Sequence, residues 1–236
     1  MAIVRPHTPM SLSNFPLTTV SAPGDRAEQF LLQMRAELQP RGQVPAIIGD
    51  RESASRLVEA WNYGDFSFDD ALRAATTTQP QEWFQERIDE DPEAFGSLLE
   101  ARVFPKGIAP MTRLQVGFDH SGKPRKEVFI ALLPTSDYWA IPLHLRFGAW
   151  NACPEPSAHA MLARYWEQRY GARMAVLTSD TIEFTVERPP VSPEDCARLA
   201  REQYIYCADI VDQGVGSVPT LAEALRGSNI WFFWWD

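Results

Sequence analysis

The strongest indication of the fold is the segment Ile230-Trp231-Phe232-Phe233-Trp234-Trp235-Asp236. It is apolar at both alternating sets of positions, and it is too short to cross a membrane. Because a strand that is apolar on both sides must be covered on both sides, we expect an interior strand with helices packed against it. The sequence therefore predicts a closed core with a sheet at its centre.

The composition predicts a folded protein. The chain has 236 residues, of which 45% are hydrophobic and 22% are charged. These values are typical of globular proteins and argue against disordered and fibrous classes. The formal net charge is −9, from 22 Lys and Arg against 31 Asp and Glu. This charge disfavours nucleic acid as a partner and suits a basic protein, although solubility alone is a second explanation.

Targeting and cysteine content predict a cytoplasmic location. Residues 1–16 contain no apolar run of signal-peptide length, and no later stretch approaches the length of a membrane span, so no membrane association is expected. The three cysteines, Cys153, Cys196 and Cys207, are an odd number, which favours free and reduced thiols over a disulfide framework. A chain of this length buries a core without metals, and no cofactor is predicted.

The hydrophobic pattern divides the chain into three parts that we expect to form one compact unit. Residues 1–14 lack periodicity and predict a loose arm. Residues 15–113 predict an N-terminal α/β portion, with strands over 15–20 and 44–48 and helices over 26–38 and 53–62. The helical segment 53–100 includes an acidic stretch, residues 63–100, that has the character of an insertion or a cap.

Residues 114–236 predict a C-terminal α+β portion. Strands over 114–118 and 128–133 predict a hairpin around the turn 119–122, and 138–145 continues this strand-rich region. The further expected elements are helices from 156 to about 170, 194–206 and 218–226, and strands over 174–178, 181–186 and 230–235. Ser192 predicts the N-cap of the helix over 194–206. The whole is an α+β fold with a mixed, mostly antiparallel sheet covered by helices.

The chain carries no phosphate loop, dinucleotide fingerprint, zinc-protease motif, nucleophile elbow or paired CxxC. Its best catalytic constellation is Cys153 with His159, because a thiolate nucleophile needs a nearby His and the start of a helix. Asp180 is a weaker candidate, as an acid or base with Glu183. The alternatives are a buried packing thiol and a turn Asp followed by an exposed Glu. A zinc site would use Cys153, His159 and Cys207, but a fourth ligand is missing and no metal is predicted.

The C-terminal half contains six motifs that occur in a fixed order. They are Phe147-Gly-Ala-Trp-Asn-Ala-Cys-Pro154, Tyr170-Gly-Ala172, Arg188-Pro-Pro190, Glu202-Gln-Tyr-Ile-Tyr-Cys207, Asp209-Ile-Val-Asp-Gln-Gly214 and Trp231-Phe-Phe-Trp-Trp-Asp236. Together they resemble the bacterial domain of unknown function family 4253 over about residues 130–236. The resemblance implies a domain and no activity. The candidate ligand- or partner-binding residues in these motifs are Asn151, Gln203, Asp209, Gln213, Trp234 and Asp236.

Two functions are consistent with these patterns. The first is a non-enzymatic protein-interaction module, such as a bacterial immunity protein that neutralises a basic toxin. Its partner surface would consist of exposed acids in the helical segment, for which a solvated helix face is the plainer reading. These acids are Glu82, Glu86, Asp89, Glu90 and Asp91. The alternative is an enzyme or small-ligand-binding domain with a polar cleft around Cys153, His159 and Asp180.

Overall fold

A computed structural model of the chain describes residue 12 and residues 15–62, 64–95 and 108–236. The arm predicted over residues 1–14, apart from Leu12, and the end of the acidic segment at residues 96–100 lie outside the described residues. The described part combines helices with a six-stranded mixed sheet. The predicted α+β class is confirmed.

The sheet takes strands from both ends of the chain. Its strands are β1 (Thr19–Ala22), β2 (Val44–Gly49), β3 (Val128–Leu133), β4 (Ala172–Leu177), β5 (Thr181–Val186) and β6 (Ile230–Trp234). Their spatial order is β1-β3-β2-β4-β5-β6. The β2–β4 pair is parallel and the other neighbours are antiparallel. Because β2 lies between β3 and β4, the N-terminal portion supplies an interior strand to the sheet.

Nine α-helices are present in the described residues. They are α1 (Ala27–Leu38), α2 (Arg51–Trp61), α3 (Phe68–Thr77), α4 (Pro80–Glu90), α5 (Pro92–Phe95), α6 (Ile141–Leu145), α7 (Pro156–Tyr170), α8 (Pro193–Tyr206) and α9 (Val218–Leu225). A π-helix over Ile210–Val215 separates α8 from α9. The predicted cap is confirmed, since the Ser192 side chain accepts a hydrogen bond from the Asp195 N–H. None of the described helices has the length and apolar character needed to cross a membrane.

The sheet separates two cores of different character. On one face, which we call the aromatic face, Phe184, Trp231 and Phe233 pack against Trp166 of α7 and Tyr206 of α8. On the other face, which we call the α1 face, smaller aliphatic side chains of β2, β3 and β4 pack against Phe30 and Leu31. Alternation along β6 sends Ile230 to the α1 face and Trp231 to the aromatic face.

Three expectations about local structure are wrong. The predicted hairpin does not form: residues 114–118 make no strand, and Phe118 meets Pro124 only in an isolated bridge. Residues 138–145 are not extended, because they form a short 3-10 helix over Tyr138–Ala140 that leads into α6, which has Pro142 in its first turn. The β6 strand is an edge strand rather than an interior strand, although helices cover it.

Candidate functional site

A loop with unusual backbone geometry joins α6 to α7. Arg146, Ala149 and Asn151 have φ values of 50°, 70° and 44°, and they are the only non-glycine residues with positive φ in the described part of the chain. Each such conformation costs an L-amino acid about 1 kcal/mol or more. Strained backbone conformations persist only where the surrounding structure enforces them, and they cluster at functional sites. The loop is therefore a candidate functional site.

Gly148 explains why this loop passes so close to α7. Its φ is +113°, and a Cβ at this position would lie 2.0 Å from the Pro154 carbonyl oxygen and 2.9 Å from ring atoms of His159. Only glycine permits this approach. The Ala149 N–H then donates to the Pro154 carbonyl at 2.9 Å, and the Cys153 N–H donates to the Trp150 carbonyl at 2.8 Å. These bonds hold Cys153 against the start of α7.

The structure brings the predicted pair Cys153 and His159 together. Cys153 Sγ lies 3.4 Å from His159 Nε2, and His159 Nδ1 lies 2.6 Å from the Tyr206 hydroxyl. All three residues are buried, and the rings of Phe147 and Trp235 pack on the imidazole at 5.0 Å and 5.2 Å between centroids. Tyr206 belongs to the motif over residues 202–207, but nothing in the sequence indicates that its hydroxyl reaches His159, which lies 47 residues earlier.

Hydrogen bonding assigns the tautomer of His159. The only partner of the Tyr206 hydroxyl among the described residues is His159 Nδ1, so the buried phenol donates its proton there. The ring hydrogen then lies on Nε2, which faces Cys153 Sγ. In this tautomer Nε2 donates toward the Cys153 sulfur and has no lone pair to accept the thiol proton.

Burial keeps this cluster uncharged. It lowers the pKa of His159 to about 3, while the Pro154 carbonyl beside the ring acts weakly in the opposite direction. Burial also raises the pKa of the Cys153 thiol far above its ordinary value, with a smaller contribution from Cys207. It raises the pKa of Tyr206 in the same way. A thiol, an imidazole and a phenol without charge are typical of a packed polar network rather than an activated nucleophile.

Cys153 also borders a cavity of about 540 Å³ between α7 and the acidic helices. One wall consists of α3 and α4, and the other of the loop and the first turns of α7. The lining residues are Ala74, Thr78, Trp83, Glu86, Arg87, Glu90, Ala149, Trp150, Asn151, Ala152, Cys153, Pro154, Glu155, Ser157, Ala158 and Met161. Its size is ordinary for a ligand pocket, and its carboxylates outnumber its cations.

The predicted partner acids all lie exposed on α4 or just after it, and two of the five line the cavity. These two are Glu86 and Glu90, and Glu90 pairs with Arg87 at 2.9 Å. Glu82 and Asp89 are exposed outside the lining. Asp91 has a structural role, since its Oδ1 accepts the Ala94 N–H at the start of α5.

Four of the predicted binding residues form one hydrogen-bonded chain on the surface. Asn151 Nδ2 donates to the Asp236 carbonyl, the Asp236 N–H donates to Asp209, and Gln213 Nε2 donates to Asp209. The Asp236 backbone therefore finds side-chain partners, and its own carboxylate is exposed. The other two predicted residues lie apart from this chain. Gln203 is buried in α8, and the half-buried Trp234 accepts the Cys207 thiol proton at its carbonyl.

Asp180 and Glu183 do not join the cluster around Cys153. The Asp180 carboxylate accepts hydrogen bonds from the Thr178 and Thr181 hydroxyls within the β4–β5 turn, as the plainer interpretation had it. The expectation that Glu183 is exposed is wrong, because it is fully buried on the α1 face. Its two oxygens accept the N–H groups of Gln115 and Val116 at 2.6 Å and 2.8 Å.

The described residues contain no group of three or more His, Cys, Asp or Glu side chains arranged to hold a metal ion. In particular, Cys153, His159 and Cys207 do not form a zinc site. Cys153 and His159 bond to each other, and Cys207 donates its thiol proton to a backbone carbonyl. All three cysteines are free.

Comparison with known proteins confirms the resemblance of the C-terminal half. Residues 129–236 match the family described as Domain of unknown function (DUF4253). No curated protein and no solved structure matches the chain. The match begins inside β3, so the loop and α7 lie within the family domain while α3 and α4 lie outside it. The cavity therefore forms where the family domain meets the preceding part of this chain.

Proposed function

We propose that this protein is a non-enzymatic interaction module that binds a basic partner protein, as an immunity protein binds the toxin it neutralises. The observation that carries this proposal is the position of the exposed acids of α4 beside an open cavity with aromatic walls. Complementary charge accelerates association and excludes wrong partners, and aromatic side chains supply contact area at interfaces. The three buried free thiols support action in a reducing, cytoplasmic setting.

The test compares three baits in the native host. The first is the unchanged chain, and the second carries Glu82→Lys and Asp89→Lys at two exposed positions outside the cavity. The third carries Glu59→Gln on α2 and serves as the control. We expect a basic protein to co-purify in equal amounts with the unchanged chain and the control, and to be lost from the charge-reversed bait. The purified partner should then be toxic when expressed alone and harmless when expressed with this chain. A partner that binds all three baits equally, or none, contradicts the proposal.

An enzyme or small-ligand-binding role is the second candidate, because Cys153 Sγ borders the cavity within 3.4 Å of His159. A reactive thiol in this role would be alkylated by iodoacetamide at neutral pH much faster than Cys196, which is fully buried. The uncharged cluster instead predicts that neither Cys153 nor Cys196 is alkylated at an appreciable rate in the folded protein. Selective labelling of Cys153, measured by peptide mass spectrometry, would favour this second candidate over the interaction module.

A further inference from the structure

The two walls of the cavity carry the same pair of groups. On α4, Trp83 and Glu86 are three residues apart and therefore share a helix face. On the opposite wall, Trp150 lies in the strained loop and Glu155 is the N-cap residue of α7. Each wall thus offers one flat aromatic ring and one carboxylate to whatever enters.

Both tryptophans rest on buried phenylalanines. Trp83 meets the ring of Phe84 edge to face at 5.5 Å, and Trp150 meets Phe147 in the same way at 4.8 Å. Phe84 and Phe147 are themselves buried. The two indoles are therefore held in place before any ligand binds, which lowers the entropic cost of binding.

The charges of the cavity favour a cation. Its lining contains three carboxylates, of Glu86, Glu90 and Glu155, and one cation, Arg87. Arg87 is already paired with Glu90. Among the described residues neither Glu86 nor Glu155 forms an ion pair or accepts a side-chain hydrogen bond, so both carboxylates are available to a ligand.

We propose that the cavity receives an arginine side chain of a basic partner protein, with the guanidinium between Trp83 and Trp150 and its N–H groups donating to Glu86 and Glu155. This inference rests on the proposed function and names the contact by which the partner is recognised. A guanidinium fits better than an ammonium because it is planar, stacks on aromatic faces and pairs with carboxylates in a fork geometry.

The experiment uses the full chain and three peptides: acetyl-Gly-Arg-Gly-amide, the lysine analogue and the citrulline analogue, which keeps the shape of arginine without its charge. Binding is followed by the indole N–H resonances of Trp83 and Trp150, assigned from Trp83→Phe and Trp150→Phe. We expect the arginine peptide to shift both resonances, the lysine peptide to bind about tenfold more weakly, and the citrulline peptide to cause no saturable shift.

The variants test the same contact from the protein side. Glu86→Gln with Glu155→Gln changes two exposed side chains that form no ion pair or side-chain hydrogen bond among the described residues. We expect this double variant to weaken arginine-peptide binding at least tenfold, whereas Glu59→Gln leaves binding unchanged. Equal binding of arginine and citrulline peptides, or no shift at millimolar arginine peptide, overturns the inference. If the basic partner still binds and still requires Glu82 and Asp89 while Trp150→Ala and the Gln pair have no effect, the arginine pocket fails and the proposed function stands.

Discussion

The two faces of the sheet each bury an ionisable side chain, and they do so in opposite ways. On the aromatic face, His159 lies among rings and has a phenol and a thiol as its partners. On the α1 face, Glu183 accepts two successive backbone N–H groups, and Glu28 accepts the N–H of Leu114 just before them. Burial lowers the pKa of His159 to about 3 and raises the pKa of Glu183 to about 7.

The two faces are therefore suited to different roles. With a pKa of about 3, the imidazole of α7 is uncharged at neutral pH. It contacts Tyr206 of α8 and Cys153 of the loop as a neutral hydrogen-bonding group. The Glu183 carboxylate changes its charge near neutral pH, and it ties the N–H groups of Gln115 and Val116 to β5. The backbone N–H groups hold the pKa of Glu183 lower than burial alone would place it.

Removal of the Glu183 carboxylate should have the largest effect. Glu183→Ala leaves the partly buried N–H groups of Gln115 and Val116 without an acceptor and creates a cavity. We therefore expect a loss of about 4 kcal/mol in the free energy of unfolding. Urea denaturation measures it. Glu187→Ala, an exposed position just after β5 whose ion pairs lie at the surface, should change stability by less than about 1 kcal/mol. Similar losses in the two variants would show that Glu183 does not anchor residues 114–116.

The pH dependence of stability distinguishes the two faces. Because the folded pKa of Glu183, about 7, lies above its ordinary value of 4.5, the folded state binds more protons between these values. The contribution of Glu183 is therefore complete below pH 4.5 and is lost as the pH rises through about 7. Between pH 4.5 and pH 8, the free energy of unfolding of the unchanged protein should fall by about 3 kcal/mol relative to that of Glu183→Gln.

His159 has the opposite sign. Its folded pKa of about 3 lies below the ordinary value of 6.5, so its contribution is complete above pH 6.5 and is lost as the pH falls toward 3. Guanidinium denaturation of the unchanged protein and of Glu183→Gln between pH 3 and pH 8 measures both effects. The difference in the free energy of unfolding between the two proteins reports on Glu183. The fall in stability that both proteins show toward pH 3 contains the His159 contribution. A difference between the unchanged protein and Glu183→Gln that does not vary with pH would remove the contrast between the faces.

The Cys153 thiol should contribute less than the Glu183 carboxylate. Cys153→Ala removes a buried sulfur and the acceptor that faces His159 Nε2, and we expect a loss of about 2 kcal/mol in the free energy of unfolding. Cys196→Ala, which removes a fully buried thiol with no imidazole beside it, should cost about 1 kcal/mol. A Cys153 variant of unchanged stability would mean that the thiol is not part of the packing of the aromatic face.

The aromatic face was more predictable from sequence than the α1 face. The spacing of Met161, Leu162, Tyr165 and Trp166 predicts α7, and Gly171 ends this helix in the left-handed conformation. The apolar run over 128–133 predicts a strand, which is confirmed as β3. By contrast, the polar residues Thr181, Glu183 and Thr185 alternate along β5 in the pattern of a solvent-facing side of a strand. Nothing in the sequence of β5 indicates that residues 114–116 cover this side.

The candidate site was predictable only in part for the same reason. Cys153 and His159 are six residues apart, so a short loop and one helical turn bring them together. The second wall of the cavity comes from α3 and α4, about 60 to 90 residues earlier in the chain. Its position depends on long-range packing of α3 and α4 against α7, which hydrophobic periodicity does not encode. The edge position of β6 has the same origin, because strand order is a property of the whole sheet.

The smallest expected effect tests whether the strain of the loop belongs to the site or only to the packing of the aromatic face. Ala149 has a φ of 70° and is exposed, so Ala149→Gly relieves the left-handed strain while the greater freedom of glycine in the unfolded chain offsets part of the gain. We expect a net stabilisation of about 0.5 kcal/mol by thermal denaturation. If the strain positions Trp150, the same variant should bind the arginine peptide more weakly despite its higher stability. If the variant is stabilised and its binding is unchanged, the strain at Ala149 serves packing alone. The close approach of Gly148 to His159 would then suffice to explain the backbone path of the loop.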